Sequence, residues 1–234
     1  MAIIYGMSEA TKKFLKKLPK QIQNLEEIDD VSRDLKQELD SIEDKGLGNK
    51  FNRWRKQRTI NKIKDNTDNV EHAGAKGEEI ALKKLSELSD DFHIFCGVNK
   101  DLKNYVSYRK KRDLKSAQMD FVVISKRGVN VIEVKNWSAK YYNNYYGLSP
   151  HEQVDRAGRV LWIKLKSSWF RPKDPPVTSV LLSIQGTIPY DKKYGYVSVK
   201  SLNNINYFLQ NQPEKFSDKE VERLIGRIKG DVTK

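Results

Sequence analysis

The stretch 118-QMDFVVISKRGVNVIEVK-135 decides the fold. Two apolar, β-branched runs, Gln118–Ile124 and Val129–Lys135, flank Ser125, Lys126, Arg127 and Gly128. A connection of that length ending in glycine predicts a β-hairpin. Side chains alternate along a strand, so Asp120, Val122 and Ile124 share one face, and Val129, Val131, Glu133 and Lys135 share one face of the partner. The opposite face, with Phe121, Val123, Ile132 and Val134, is apolar as well. A hairpin apolar on both sides belongs at the centre of a sheet covered on both faces.

Three charges at one end of such a hairpin need a reason, because an unpaired buried charge is expensive. If the turn pairs Ser125 with Gly128, Asp120 lies opposite Glu133, and like charges directly opposed repel. A divalent cation between them removes the conflict, and hard oxygen ligands favour Mg²⁺ or Mn²⁺ over zinc. The single Cys96 and the scattered His72, His93 and His151 offer no zinc-type ligand set. Lys135 projects from the same face about 6–7 Å further along the strand, within reach of a bound phosphate. Alone, Glu133-Val134-Lys135 is as common as an exposed charge pair; the opposed Asp120 gives it weight.

Upstream, Ala75–Leu88 predicts an amphipathic helix on which Glu78 falls with Ala81, Leu82 and Leu85, while Glu79, Lys83 and Glu87 face away. Glu78 is thus a further candidate ligand, although an acid near a helix N-terminus also stabilises the macrodipole. Phe92–Val98 predicts a strand. Downstream, Ser149-Pro150-His151-Glu152 predicts a capped helix start running to about Lys166. Strands over Val177–Ile184 and Tyr196–Val199 follow, with closing helices from about Ser201 and from Ser217, where Glu220 closes a capping box. Tyr141–Tyr146 reads equally as a strand edge or a loop.

These elements resemble the nuclease-related domain (NERD) family, a branch of the PD-(D/E)xK nuclease superfamily. The matching residues are Gly74-Ala75-Lys76-Gly77-Glu78, Gln118 to Ile124, Gly128 to Trp137 and Ser149-Pro150-His151-Glu152-Gln153. The resemblance implies an α/β, restriction-endonuclease-like α-β-β-β-α-β core with a mixed central sheet. It further implies Glu78, Asp120 and Glu133 around one or two Mg²⁺ ions, Lys135 beside them, and Gln153 positioning substrate or an active-site side chain. Met119 stands where the superfamily often has proline, and Ser149 where the family usually has asparagine.

The core so defined runs from about 74 to 184, within a domain expected over 71–234. Residues 1–70 read as a helical, basic extension, with Asp65–Asn69 as linker. Its apolar stripe, Leu15, Leu18, Ile22, Leu25, Ile28, Val31, Leu35, Leu39 and Ile42, suits either packing on the chain's own core or self-association. Lys50–Lys64 carries seven basic residues and no acid, with Phe51 and Trp54 interleaved. Lys50, Arg53, Trp54, Arg55, Lys56 and Arg58 are therefore candidate nucleic-acid contacts, as are Arg109, Lys110, Lys111 and Arg112 before the Asp120 strand. A solvated basic face is the ordinary alternative for both.

A net charge of +13 favours polyanionic partners. No apolar run is long enough to span a membrane and no signal peptide opens the chain, so a cytoplasmic protein is expected. The reading is a metal-dependent nuclease acting on DNA rather than RNA, with a non-catalytic nucleic-acid-binding or scaffold module as the alternative.

Overall fold

The computed structural model describes residues 1–43, 46–67, 69–166 and 176–232. It divides into two compact units, Ala10–Lys76 and, together, Met1–Glu9 with Gly77–Lys234.

The second unit is built on a six-stranded mixed sheet whose strands lie side by side in chain order. They are β1 (Ile3–Tyr5), β2 (His93–Tyr108), β3 (Lys111–Ser125), β4 (Gly128–Lys135), β5 (Val177–Ser183) and β6 (Val197–Ser201). β2, β3 and β4 pair antiparallel, while β1 on one flank and β5 and β6 on the other run parallel to their neighbours. The central hairpin has the expected register, Ser125 facing Gly128 and Phe121 facing Ile132. Gly128 takes φ +144°, a region closed to residues with a Cβ.

Helices cover both faces. Ala81 and Leu85 of α4 (Val70–Ser86) pack with Phe121, Val123, Ile132 and Val134 on one side. Val154, Ala157 and Leu161 of α6 (Pro150–Lys166) pack with Val122, Ile124, Val129 and Val131 on the other. Each buried Val, Leu, Ile or Phe among them contributes roughly 1.5–3 kcal/mol, so the hairpin read first is central to the unit's stability. The order α4-β2-β3-β4-α6-β5 is the anticipated nuclease-like core, with a short α5 (Ala139–Asn143) inserted. Tyr141–Tyr146 is therefore partly helix, begun by Ser138, whose Oγ accepts from the Tyr141 amide at 3.2 Å.

Several boundaries differ from expectation. β2 and β3 run on past Val98 and before Gln118 to a two-residue turn at Arg109 and Lys110, whose φ of +45° and +72° mark a type I′ turn. The basic run before the Asp120 strand is thus the end of a hairpin, held by buried Leu102, Tyr108 and Leu114 among charged neighbours. The closing helices are α7 (Ile205–Gln210) and α8 (Asp218–Ile228); Ser201 ends β6 rather than starting α7. The Ser217–Glu220 capping box forms. Glu152 does not close one with Ser149: its Oε2 accepts from the Tyr194 hydroxyl at 2.7 Å.

The helical unit holds most of α1 (Glu9–Leu15), then α2 (Glu27–Ser41), α3 (Leu47–Thr67) and the first turns of α4. Phe14, Leu18, Ile22, Ile28, Ile63 and Ala75 form its core, with Leu15, Leu25, Val31 and Leu35 against it. Much of the apolar stripe is therefore internal to the unit. The linker expected over Asp65–Asn69 is helical to Thr67, and Asp68 lies outside the described residues. Met1–Glu9 pairs with the sheet through β1 instead of joining the helices that follow it.

Candidate functional site

The site begins with a break in strand alternation. Met119 and Val122 belong to the apolar layer under α6, whereas Phe121 belongs to the layer under α4. Strict alternation would put Met119 with Phe121. The partner strand breaks at the same level: Cys96 and Val98 lie in opposite layers, separated by Gly97 at φ +60°. The β3–β4 ladder stops at Phe121–Ile132, one position short of Asp120. Asp120 thus sits where β3 turns between its two faces.

Asp120 and Glu133 were expected as a directly opposed ladder pair, and the kink alters that arrangement. The Asp120 Oδ2 accepts from the Val134 backbone N–H at 2.7 Å, taking the place of the ladder bond the kink removes. Glu133 is turned instead to Lys135, whose Nζ donates to Glu133 Oε1 at 2.6 Å; both side chains are largely buried. The acids still act on one another. Burial raises the Asp120 pKa well above the usual carboxylate value, and the charges of Glu133 and Glu78 raise it further against the opposing pull of Lys135 and the Val134 amide. Burial alone would lower the Lys135 pKa, but Glu133 and Asp120 reverse the sign, so Lys135 is held as a cation.

Glu78, at 8% exposure, is the buried acid of α4, and its Oε2 accepts from Ser8 Oγ at 2.5 Å. Gly77 permits this placement, since a Cβ there would stand 2.6 Å from that of Asn136, one residue beyond β4. Burial pushes the Cys96 thiol up to about 12, with Glu78 adding to the shift, which marks Cys96 as an unreactive core residue. Glu78, Asp120, Glu133 and Lys135 therefore share one electrostatic neighbourhood. Among the described residues, however, no group of three or more His, Cys, Asp or Glu stands close enough to hold a metal ion.

Gln153 stays apart from these groups. It lies in the first turn of α6, where Nε2 donates to the Leu148 carbonyl at 2.9 Å, and it makes no hydrogen bond to Asp120, Glu133 or Lys135.

The basic candidates separate into engaged and open residues. Arg109 donates to the Lys193 carbonyl at 2.8 Å and lies 4.2 Å over the Tyr194 ring, fastening the β2–β3 turn. Arg112 donates to the Tyr105 carbonyl at 3.2 Å. Lys110 and Lys111 are exposed, and among the described residues their side chains form no hydrogen bond or ion pair. On α3, Arg53 donates to the Ile42 carbonyl at 2.9 Å and Lys56 is ion-paired with Glu38. Arg55 and Arg58 lie over the exposed rings of Phe51 and Trp54, and Lys50 is also open.

Sequence reasoning missed Ser8 and the rings around Trp137. Ser8 lies far from Glu78 in the chain, and its only signal was the β-like Ile3-Ile4-Tyr5 before Gly6. Trp137 was quoted as part of a motif but given no role.

The chain order, the buried acid on α4 and the Asp120–Glu133–Lys135 end of the hairpin together invite comparison with known families. Residues 73–183 match the family model of the nuclease-related domain, NERD. The matched segment runs from within α4 to the last residue of β5, and so contains Glu78, Asp120 and Glu133. β1 with Ser8, α1 to α3, and everything from β6 onward lie outside it. No curated protein and no solved structure matches the chain.

Proposed function

We propose that the chain is a metal-dependent nuclease that hydrolyses phosphodiester bonds of nucleic acid, DNA in preference to RNA, in the cytoplasm. The observation that carries the reading is the end of the hairpin, where a half-buried Asp120 carboxylate held by the Val134 amide lies in one neighbourhood with Glu133, Glu78 and a Lys135 ion-paired to Glu133; burial first, then the two acids, raises the Asp120 pKa. Such an excess of acid disfavours a plain structural role and suits a hard divalent cation in kind. Asp120 and Glu133 are the residues that would hold Mg²⁺ or Mn²⁺, with Glu78 supporting them. The ion supplies Lewis-acid neutralisation of charge on the phosphate.

The chain's own groups do the remaining work. Lys135 offsets negative charge on the non-bridging oxygens of the scissile phosphate. Ser8 fixes the Glu78 carboxylate, and the Val134 amide fixes that of Asp120. Gln153 acts as a positioning residue through the Leu148 carbonyl. Cleavage of labelled single- and double-stranded DNA and RNA tests the reading. We expect product with Mg²⁺ or Mn²⁺ and none with chelator. A nucleic-acid-binding module that never cuts is the second reading, favoured by the Glu133–Lys135 ion pair, which satisfies both partners internally; binding without cleavage under every metal condition establishes it.

The open cations of α3 supply the nonspecific part of binding. Neutralising Arg55 and Arg58 together should weaken duplex binding and lower its salt slope by roughly 0.9 per lost phosphate contact. An unchanged slope refutes the assignment. Arg53 and Lys56 are excluded from that test because each already bonds within the helical unit, to the Ile42 carbonyl and to Glu38. Self-association forms no part of the reading, because much of the apolar stripe is already packed within its own unit.

A further inference from the structure

We propose that Trp137, Tyr141 and Tyr145 form a wall on which an unstacked base of the substrate lies, so that the site acts on single-stranded or frayed strands in preference to intact duplex. The inference rests on the nuclease reading and adds the substrate class.

Position comes first. β4 ends at Lys135, and Trp137 follows two residues later with Lys135 Nζ 5.4 Å from its ring centre. A cation suited to a phosphate thus adjoins an aromatic surface suited to a base, the two halves of one nucleotide. The rings form a cluster: Trp137 to Tyr145 is 4.6 Å, Trp137 to Tyr141 is 5.1 Å edge-on, and Tyr141 to Tyr145 is 6.0 Å. Tyr141 is 37% exposed and Tyr146 beyond it 95% exposed.

The cluster is held in place but is not core. The Trp137 carbonyl accepts from Thr187 Oγ1 at 2.6 Å, and the Ser138 cap fixes the turn bearing Tyr141. Neither apolar core includes Trp137, Tyr141 or Tyr145; only Tyr142 of this run packs against one. The rings pack on one another outside both cores, with Tyr141 exposed and Trp137 and Tyr145 half-buried, and such a pre-ordered, partly open face is what base stacking requires. Charge agrees: from Val134 to His151 the sequence has no acidic residue and carries Lys135 and Lys140. Bases within a duplex have no free face, so the wall engages them only after unpairing.

The test uses the full chain carrying Asp120→Asn, so that bound substrate persists, with a fluorescent oligo-dT strand and a closed hairpin duplex as probes. Adding Tyr141→Ala or Trp137→Leu should weaken oligo-dT binding about five- to tenfold, the scale of one lost stacking contact, and leave duplex binding unchanged. Tyr141→Phe, which keeps the ring face, should retain wild-type binding and guards against misreading a folding defect. Equal losses on both probes, or no loss on oligo-dT, overturn the wall. In the unsubstituted chain, cleavage with no preference for single strands also overturns the wall while leaving the nuclease reading intact. Absence of cleavage on every substrate sinks the nuclease reading, and the binding arms still decide whether the wall stacks bases.

Discussion

Asp120→Asn and Glu133→Gln should each lower cleavage by roughly 10²- to 10³-fold or more, the scale seen when one group stabilising transition-state charge is removed. Both substitutions keep side-chain shape, and Asn can still accept from the Val134 amide, so nucleic-acid binding should survive. Thermal stability in metal-free buffer should rise for Asp120→Asn. An unfolded aspartate titrates near 3.9, while folded Asp120 titrates well above its usual value because of burial, Glu133 and Glu78. Below about pH 4 both states are protonated and the folded state carries no penalty. Between the two pKa values the folded state holds a proton that the unfolded state has released, so wild-type stability falls as pH rises and reaches its floor above the folded pKa. Asn removes that fall. At pH 8 the variant should melt about 2–4 °C higher for each kcal/mol of repulsion relieved. Mg²⁺ should raise the melting temperature of wild type and leave that of Asp120→Asn unchanged. Full cleavage in both variants would eliminate the site.

Gly77→Ala should be the most damaging small substitution in α4. Alanine ordinarily stabilises a helix interior by up to about 1 kcal/mol relative to glycine. At position 77 the new methyl would meet Asn136 Cβ at 2.6 Å and Cγ at 3.5 Å. A Cβ is fixed by its backbone and cannot swing aside, so α4 or the end of β4 must shift, at a cost of about 1–3 kcal/mol. The clash outweighs the propensity gain. Because Glu78 follows Gly77 and Asn136 follows Lys135, the same shift separates the helix acid from the hairpin, and cleavage should fall along with stability. Gly74→Ala in the same helix is the control: its Cβ would meet nothing within 4 Å, so it should be neutral or stabilising. Urea unfolding of both variants separates the two effects, and equal behaviour would show that the close approach at Asn136 is not limiting.

The hairpin was legible because its period, turn residue and two apolar faces all report one geometry. The same logic placed Glu133 and Lys135, and the helix periodicity singled out Glu78 from Glu79. Strict alternation then hid what matters most at Asp120. It assumes a regular strand, and the interruption at Gly97 and Asp120 depends on two strands kinking together, which neither run announces. The extension of β2 and β3 escaped notice because their outer halves are rich in Lys, Arg and Asn, with only widely spaced Leu102, Tyr108 and Leu114 turned inward. The positive φ of Arg109 and Lys110 defied turn chemistry, since neither is a residue that favours that conformation. Arg109 is compensated by Tyr194 and the Lys193 carbonyl, partners more than eighty residues away.

β1 pairs parallel with β2, with the whole of residues 10–76 between them. Parallel strands cannot be joined by a tight turn, and a long intervening segment adds loop-closure entropy that must be met before the pairing is rewarded. High sequence separation of this kind slows the step that makes it, whereas the β2–β3 and β3–β4 hairpins are local and fast. The β1–β2 pairing, whose strand leads into Ser8 and its bond to Glu78, should therefore form after the hairpins, and amide protection at β1 should lag that of β3 and β4 in a refolding time course. Of the hydrogen bonds described at the site, that from Ser8 to Glu78 spans far more chain than those from the Val134 amide or Lys135, and is the one a slow long-range pairing governs.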